Sequence, residues 1–315
     1  MANFILKRIA MLIVALIVAS FVIFIAVHIA PGSVLATLSG GKSLSPAAIR
    51  ALTNEYHLNS PLLTQYWDWA KDAISGNFGS SIQYREPVTT LISQRIGITA
   101  ELVLYAALLI VVFGIGLGIL AGLRPGFTDK LIGGISTVLT STPSFVAAIA
   151  LIAIFSVGLH WFPALGTGSG FFSDIKYLTL PAVALAVAQL AVVVRVTKVS
   201  VRAELQREHV QTAISRGIPW GLTIRRHVLR NAAIPIATVT GITVTSLFAL
   251  CAVVEQAFNL NGIGAALVEA ATVKDFAVVQ GISMLLVTAF VVCNTCVDLL
   301  YAVLDPRVAI GSRAA

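Results

Sequence analysis

Few residues in this chain have types and spacing that could do chemistry, and most of those sit in settings that deny it. Gly40-Gly-Lys-Ser43 matches the end of a phosphate-cradling G-x-x-x-x-G-K-[ST] loop, but position 36 is Ala and no strand precedes it. Lacking that loop, the chain is not expected to hydrolyse ATP itself. Cys293 and Cys296 have redox spacing, yet they lie in an uncharged apolar run where thiols behave as small hydrophobes. With Cys251 they make an odd three, so no disulfide framework is possible. The histidines, His28, His57, His160, His209 and His227, are too scattered to hold a metal ion. No nucleophile and base constellation marks an intramembrane protease. What remains is three acids at the ends of apolar runs: Glu101, Glu255 and Asp298. In lipid such groups are costly unless paired or wet. Glu101 and Asp298 read as structural ionisable groups, Asp298 pairing with Arg195 or capping a helix. Glu255 is either a solvated helix end or a group at the mouth of a path.

The elements that must position these residues follow from composition. Of 315 residues, 57% are hydrophobic and 11% charged, whereas a soluble domain carries about a quarter charged residues. A bilayer core of about 30 Å needs about 20 apolar residues in helix. Six stretches qualify: Ile9 to Ile29, Leu102 to Leu123, Leu131 to Leu159, Leu178 to Val194, Ala232 to Val254 and Phe276 to Val297. The chain is therefore an all-α membrane protein. The fourth stretch is the shortest, and Pro143 interrupts the third, which neighbouring helices can tolerate. The first follows Lys7 and Arg8 like a secretory signal, but it is longer than the usual h-region of about 7–15 residues, so it reads as a retained span.

Six spans put both termini on one side. Fourteen of the 21 basic residues fall on that side and seven on the other, so the termini are expected in the cytoplasm. The net charge of +7 thus reflects topology rather than a nucleic-acid partner. The chain divides into a first span (1–30), an outer loop (31–97), a five-helix core (98–303) and a cytoplasmic tail (304–315). In the outer loop, Ser45-Pro46 and Ser60-Pro61 start two short helices, Ala47 to Leu58 and Leu62 to Ile74. Tyr66, Trp67 and Trp69 of the second suit the headgroup layer or an external partner.

The inner loop 195–231 is the most informative segment. Gly217 separates a run Lys198 to Arg216 from a run Trp220 to Arg230, and a glycine there ends a helix cheaply in the left-handed conformation. The second run reads as a short basic helix on the membrane surface, with Trp220, Leu222, Ile224, Val228 and Leu229 for apolar contact, Trp220 and Ile224 packed inward, and Arg225, Arg226, His227 and Arg230 exposed or paired. From composition alone it could rest on anionic lipid.

His209-Val-Gln-Thr-Ala-Ile-Ser-Arg-Gly217, continued by Arg226-His-Val-Leu-Arg-Asn-Ala-Ala-Ile-Pro235, resembles the EAA-type cytoplasmic loop of ABC importer permeases. The resemblance is to the dipeptide, oligopeptide and nickel group. It spans the chain in order: Ile29-Ala-Pro-Gly32, Gly76-Asn-Phe-Gly-Ser80, Ser141-Thr-Pro-Ser-Phe145, Val278-Val-Gln-Gly281 and Val297-Asp-Leu-Leu-Tyr-Ala-Val-Leu-Asp-Pro-Arg307. Gln211, Thr212 and Ala213 stand where the Glu-Ala-Ala would be. The resemblance implies a type I importer permease fold in a prokaryotic cytoplasmic membrane. It also implies a second permease chain, two cytoplasmic ATPase subunits carrying ATP and Mg, and an external solute-binding protein. The ATPases would be engaged through Gln211, Thr212, Ala213, Gly217, Trp220, Arg225, Arg226, His227 and Arg230. Path or outer-gate residues would include Ser141, Thr142, Pro143, Glu255, Asn259 and Asn261, with hydroxyls from Thr238 to Ser246 lining a weakly polar cavity.

The expected solute is a di- or oligopeptide, since no ligand cluster suits free metal; nickel, haem or another small solute is the alternative. An ion-coupled secondary transporter would need internal repeats and midplane ionisable groups, which the sequence lacks.

Overall fold

The computed structural model describes residues 2–29, 60–168 and 170–304. Its helices are α1 (Ala2–Ile29), α2 (Leu62–Ile74), α3 (Val88–Leu109), α4 (Ile115–Leu123), α5 (Phe127–Ser141), α6 (Ser144–Leu151), α7 (Phe171–Leu205), α8 (Glu208–Ser215), α9 (Trp220–Thr223), α10 (Arg230–Ala257), α11 (Ile263–Val273) and α12 (Phe276–Leu304). Wider π-helical turns join α3 to α4 over Ile110–Gly114, extend α6 over Ile152–Gly158 and join α9 to α10 over Ile224–Leu229.

Five of these runs are long and apolar enough to cross a membrane: Ile5–Ile29, Val88–Leu123, Phe172–Leu205, Trp220–Ala257 and Phe276–Leu299. The expected third span is the exception. It is a bent pair, Phe127–Ser141 and Ser144–Gly158, turning through 107°, so the described spans are five, or six if the pair is one broken span. The bend has two causes. Pro143 forces Thr142 into extended backbone (φ −94°, ψ 115°). Before it, the hydroxyls of Thr137, Thr140, Ser141 and Thr142 each donate to the carbonyl four residues back, a pattern that bends helices. The expected first helix of the outer loop, Ala47 to Leu58, lies outside the described residues, as does the tail 305–315.

The shortest apolar stretch belongs to the longest single α-helix. Counting uncharged residues found only Leu178 to Val194, but α7 runs on through Arg195, Lys198 and Arg202 because charge ends a lipid-embedded run without ending a helix. It is the centre of the bundle, packed against α3, α4, α5, α6 and α10. Gly114, Gly118 and Gly122, spaced one turn apart, let the α3–α4 run approach it closely: a Cβ at Gly118 would lie 2.5 Å from that of Thr197. Small residues at such a seam gain van der Waals contact where lipid offers no hydrophobic drive.

The core lies between these helices, with Leu102, Val103, Ala106 and Ile110 meeting Leu185, Val193, Leu247 and Val254. α1 packs on α12, and Arg8 closes an ion pair with Asp298 at 2.7 Å. Asp298 is thus paired with the first helix, and Arg195, its expected partner, is exposed on α7. The α2 helix matches the expected Leu62 to Ile74 residue for residue. Tyr66 bonds Ser20 at 2.9 Å and sits edge-on to Phe21 and Phe24, and Trp69 stacks near Phe24. Only Trp67 of the three aromatics stays well exposed.

Candidate functional site

Two groups of functional candidates occupy opposite ends of one helical run. Trp220–Ala257 is continuous over 38 residues, which at about 1.5 Å per residue spans about 57 Å.

At its beginning is the 195–231 loop. Within the first run the separate amphipathic helix is α8, and the Trp220 to Arg230 segment, expected as a helix lying across the membrane surface, leads straight into α10. α8 is pinned through Val210 onto Val201, Ile224, Val228 and Ala232, all buried, with Leu123 and Leu205 packed against them, and its Ala213 is buried as well. Gly217 turns the chain with φ +74°, as expected of the residue that separates the two runs. The expected inward pair divides: Ile224 is buried, but Trp220 is 55% exposed. Ile214 and Leu222 are exposed as well. With Arg216, Arg225, Arg226 and Arg230, also exposed, they make an apolar and basic outer surface. Gln211 and Thr212 are exposed, their side chains donating to the carbonyls of Leu205 (3.0 Å) and Glu208 (2.9 Å).

The sequence reading missed the brace behind this surface. Glu204, at the end of α7, meets His209 Nε2 at 3.1 Å and Arg207 at 3.7 Å. The same oxygen that meets His209 accepts from Asn231 Nδ2 at 3.0 Å, and Asn231 also donates to the His227 carbonyl at 3.0 Å. His227 is half-buried, its ring 6.4 Å from that of His209. One carboxylate thereby ties α7, α8 and the start of α10 together. A second ion cluster, Asp129 with Lys198 and Arg202, fixes α5 to α7, and Arg202 also reaches the Ala121 carbonyl.

At the far end of the run, Glu255 is fully buried, which rules out the solvated helix end. Its Oε1 accepts from the Thr99 hydroxyl at 2.6 Å and its Oε2 from the Ala265 amide at 2.9 Å, while Thr99 Oγ1 accepts from the Ile263 amide at 2.9 Å. The carboxylate and the Thr99 hydroxyl thus each satisfy an open amide at the start of α11, where helix geometry favours negative charge. Gly262 is required beside it, because a Cβ there would overlap the carboxylate.

Around this floor opens a bowl of about 610 Å³ lined by Arg95, Gln256, Asn259, Asn261, Glu269 and Thr272, among others. The structure therefore brings Glu255, Asn259 and Asn261 together. It places Ser141, Thr142 and Pro143 elsewhere, at the elbow of the bent pair, with both hydroxyls bonded to backbone. Of the hydroxyls expected to line a path between Thr238 and Ser246, those of Thr238, Thr243, Thr245 and Ser246 donate to nearby carbonyls, and that of Thr240 is buried with no partner among the described residues. Glu101 is exposed and lies inside the Val88–Leu109 helix rather than at its start.

One wall of the bowl is braced by contacts no spacing rule could find. Buried Asp275 accepts from the Ser81 hydroxyl (2.6 Å) and the amides of Ile82 (2.9 Å) and Gln83 (3.1 Å), holding the 80–87 turn against the α11–α12 junction. From that turn, Tyr84 donates to Glu269 at 2.6 Å and lies under the Arg95 guanidinium at 4.7 Å. Burial, and then the hydrogen bond to Glu269, push the Tyr84 phenol up to about 12, so it remains a donor across the physiological range.

Residues 114–310 match the binding-protein-dependent transport system inner membrane component, and residues 1–103 match the N-terminal region of such membrane components. The chain belongs to this family. It is an ABC transporter permease of the oligopeptide type and a multi-pass protein of the cytoplasmic membrane. It is 32% identical over 312 residues to the peptide ABC transporter permease y4tP of Sinorhizobium fredii. It is 32% identical over 310 residues to the oligopeptide permease OppB of Escherichia coli K12, and 33% over 309 to the glutathione permease GsiC of the same strain. Each alignment covers 98% of this chain and 99% of the relative.

Proposed function

We propose that this chain is one of two permease subunits of an ATP-driven peptide importer, with the 195–231 loop and both termini in the cytoplasm. The relatives named for peptide, oligopeptide and glutathione transport support a peptide rather than nickel or haem. The loop is the docking site for an ATPase subunit, which holds the ATP and Mg. The observation that carries this assignment is the division of faces around α8: Val210, Ala213 and Ile224 are sealed beneath, while Ile214, Trp220 and Leu222 stand outward among arginines. Exposed aromatic and arginine side chains on a rigid base are what a protein cleft grips. A second permease completes the path, and an external binding protein supplies the solute.

The test is uptake of labelled di- to pentapeptides, nickel and haem in cells lacking this chain, together with co-purification of an ATPase subunit. Loss of peptide uptake alone is expected. Loss of metal or haem uptake with peptide uptake intact would leave only the importer class standing.

A further inference from the structure

The bowl at the end of α10 offers polar groups that the chain itself does not use. Its volume of about 610 Å³ lies within the range of ligand clefts, about 300–1,000 Å³. The side-chain amides of Gln256, Asn259 and Asn261 line it and make no hydrogen bond among the described residues, whereas both oxygens of Glu255 beneath them are engaged. Asn259 is held in the left-handed region at φ 49°, so its amide is presented from a fixed backbone. On the facing wall stand one cation and one carboxylate, Arg95 and Glu269, each held in place through Tyr84. Among the described residues they do not close an ion pair with each other. Elsewhere in the spans most hydroxyls are turned to helix carbonyls, and the two buried ones without a partner among the described residues, Thr197 and Thr240, are single groups on different helices, so this concentration of unspent donors and acceptors is local.

We infer that the bowl is a subsite for the main chain of the transported peptide, on the assumption that the importer reading above holds. A primary amide carries a donor and an acceptor side by side, the complement of the C=O and N–H of a peptide bond. Three such groups read what every peptide shares and ignore its side chains. Arg95 matches a terminal carboxylate, and the remaining lone pairs of Glu269 match a terminal ammonium. A bare metal ion would find a poor site here. The one accessible carboxylate already accepts from Tyr84 and Gln83, and the other walls offer neutral amides and a cation, not the charged or soft ligands metals need.

The experiment uses the whole transporter with its binding protein in proteoliposomes. The probe is a radiolabelled alanine tripeptide bearing a diazirine, with adducts mapped by mass spectrometry. Adducts are expected within residues 256–272 and should be competed away by unlabelled tripeptide. In a variant carrying Gln256→Ala, Asn259→Gly and Asn261→Ala, adduct yield and uptake should both fall by about tenfold or more, as expected for losing several hydrogen bonds. The variant must still co-purify with its partner subunits; these positions are exposed, and glycine keeps the backbone at 259 unstrained. Wild-type uptake in the triple variant, or adducts only elsewhere in the bundle, would overturn the subsite. So would a photo-crosslinker at Thr272 that captures the binding protein but never the peptide, which would make the bowl a docking surface. If the wild-type complex imports no tripeptide before any substitution is made, the importer reading fails, and the subsite falls with it.

Discussion

Substituting Gly217 separates backbone strain from crowding, because a Cβ built there meets nothing within 4 Å while φ is +74°. The whole cost is therefore conformational: about 1–2 kcal/mol for an ordinary L-residue, and toward about 3 kcal/mol for a β-branched one. The turn can shed that strain only by moving α8. What holds α8 is chiefly the burial of Val210, which is 0% exposed, with a smaller share from Ala213; full burial of a valine is worth about 1.5–3 kcal/mol. Strain and anchor are thus of the same size, so Gly217→Val should displace α8 without unfolding the bundle. At about 2 kcal/mol the ratio of seated to displaced α8 falls by about thirty-fold, which against an anchor of the same size leaves about half of the helices seated. Affinity for the ATPase subunit, measured with purified permease pair and ATPase in detergent, should fall accordingly, and peptide uptake with it. Asn is the L-residue most at ease with positive φ, so the order of activity should be Gly, Asn, Ala, Val. A valine variant that binds and transports like wild type would refute the claim that this turn sets the position of α8. Equal losses for Asn and Val would refute the strain argument.

Arg226→Glu reverses charge on the outer surface of the loop and should weaken ATPase binding while leaving membrane insertion and thermal stability unchanged, as checked by pull-down and fluorescence-detected chromatography. A cysteine at Ser75 should react with an impermeant maleimide from outside intact cells, and one at Ser215 should react only after the membrane is opened; the reverse pattern would invert the topology. Gly118→Ala places a methyl group 2.5 Å from Thr197 Cβ, and overpacking of this kind costs about 1–3 kcal/mol, so the apparent melting temperature should drop while ATPase affinity holds. Asp275→Ala strands the Ser81 hydroxyl and two amides, each at a cost of about 1–3 kcal/mol if left unsatisfied; hydrogen exchange over residues 80–87 should accelerate, with the 195–231 loop unaffected.

The sequence makes visible whatever depends on local pattern. The Leu62–Ile74 helix, the turn at Gly217 and the positions of the apolar runs all follow from a proline, a glycine or a stretch without charge. Trp220 shows where that logic stops. Reading apolar residues at helical spacing put Trp220 and Ile224 on one face, and the Ile224 amide does donate to the Trp220 carbonyl one α-helical turn back. Yet Ile224 lies in the buried cluster with Val201, Val210 and Val228, while Trp220, one turn earlier at the start of the helix, is 55% exposed. Spacing says which residues share a face, not how far along the helix a neighbour covers it. Asp275 and Ser81 are 194 positions apart, and Arg8 pairs with Asp298 across nearly the whole chain. No periodicity reports such contacts. Glu255 was legible as an unusual residue in the wrong place for lipid. Its burial against Thr99 and the start of α11 was not, because α11 returns toward α10 only in three dimensions.

The weakest part of the long Trp220–Ala257 run lies at the loop end. Ile224–Leu229 has wide π geometry, and Pro235 within α10 supplies no backbone donor. A helix so interrupted bends where it should carry load. The brace lies across that stretch: Asn231 stands between the π turn and Pro235, bonded forward to Glu204 on α7 and back to the His227 carbonyl. Glu204 in turn holds His209 of α8. Side-chain bonds thus supply, from a neighbouring helix, stiffness that the backbone ladder lacks. Beyond Pro235 the helix needs no such help, since it is packed along α7 and α12 with Ile236, Leu247 and Val254 buried. On the proposed function, a displacement imposed on α8 by an ATPase would enter α10 through Glu204 and Asn231 rather than dissipate at the π turn. It would arrive at Glu255, whose carboxylate is bonded to the start of α11, the helix that forms one wall of the bowl.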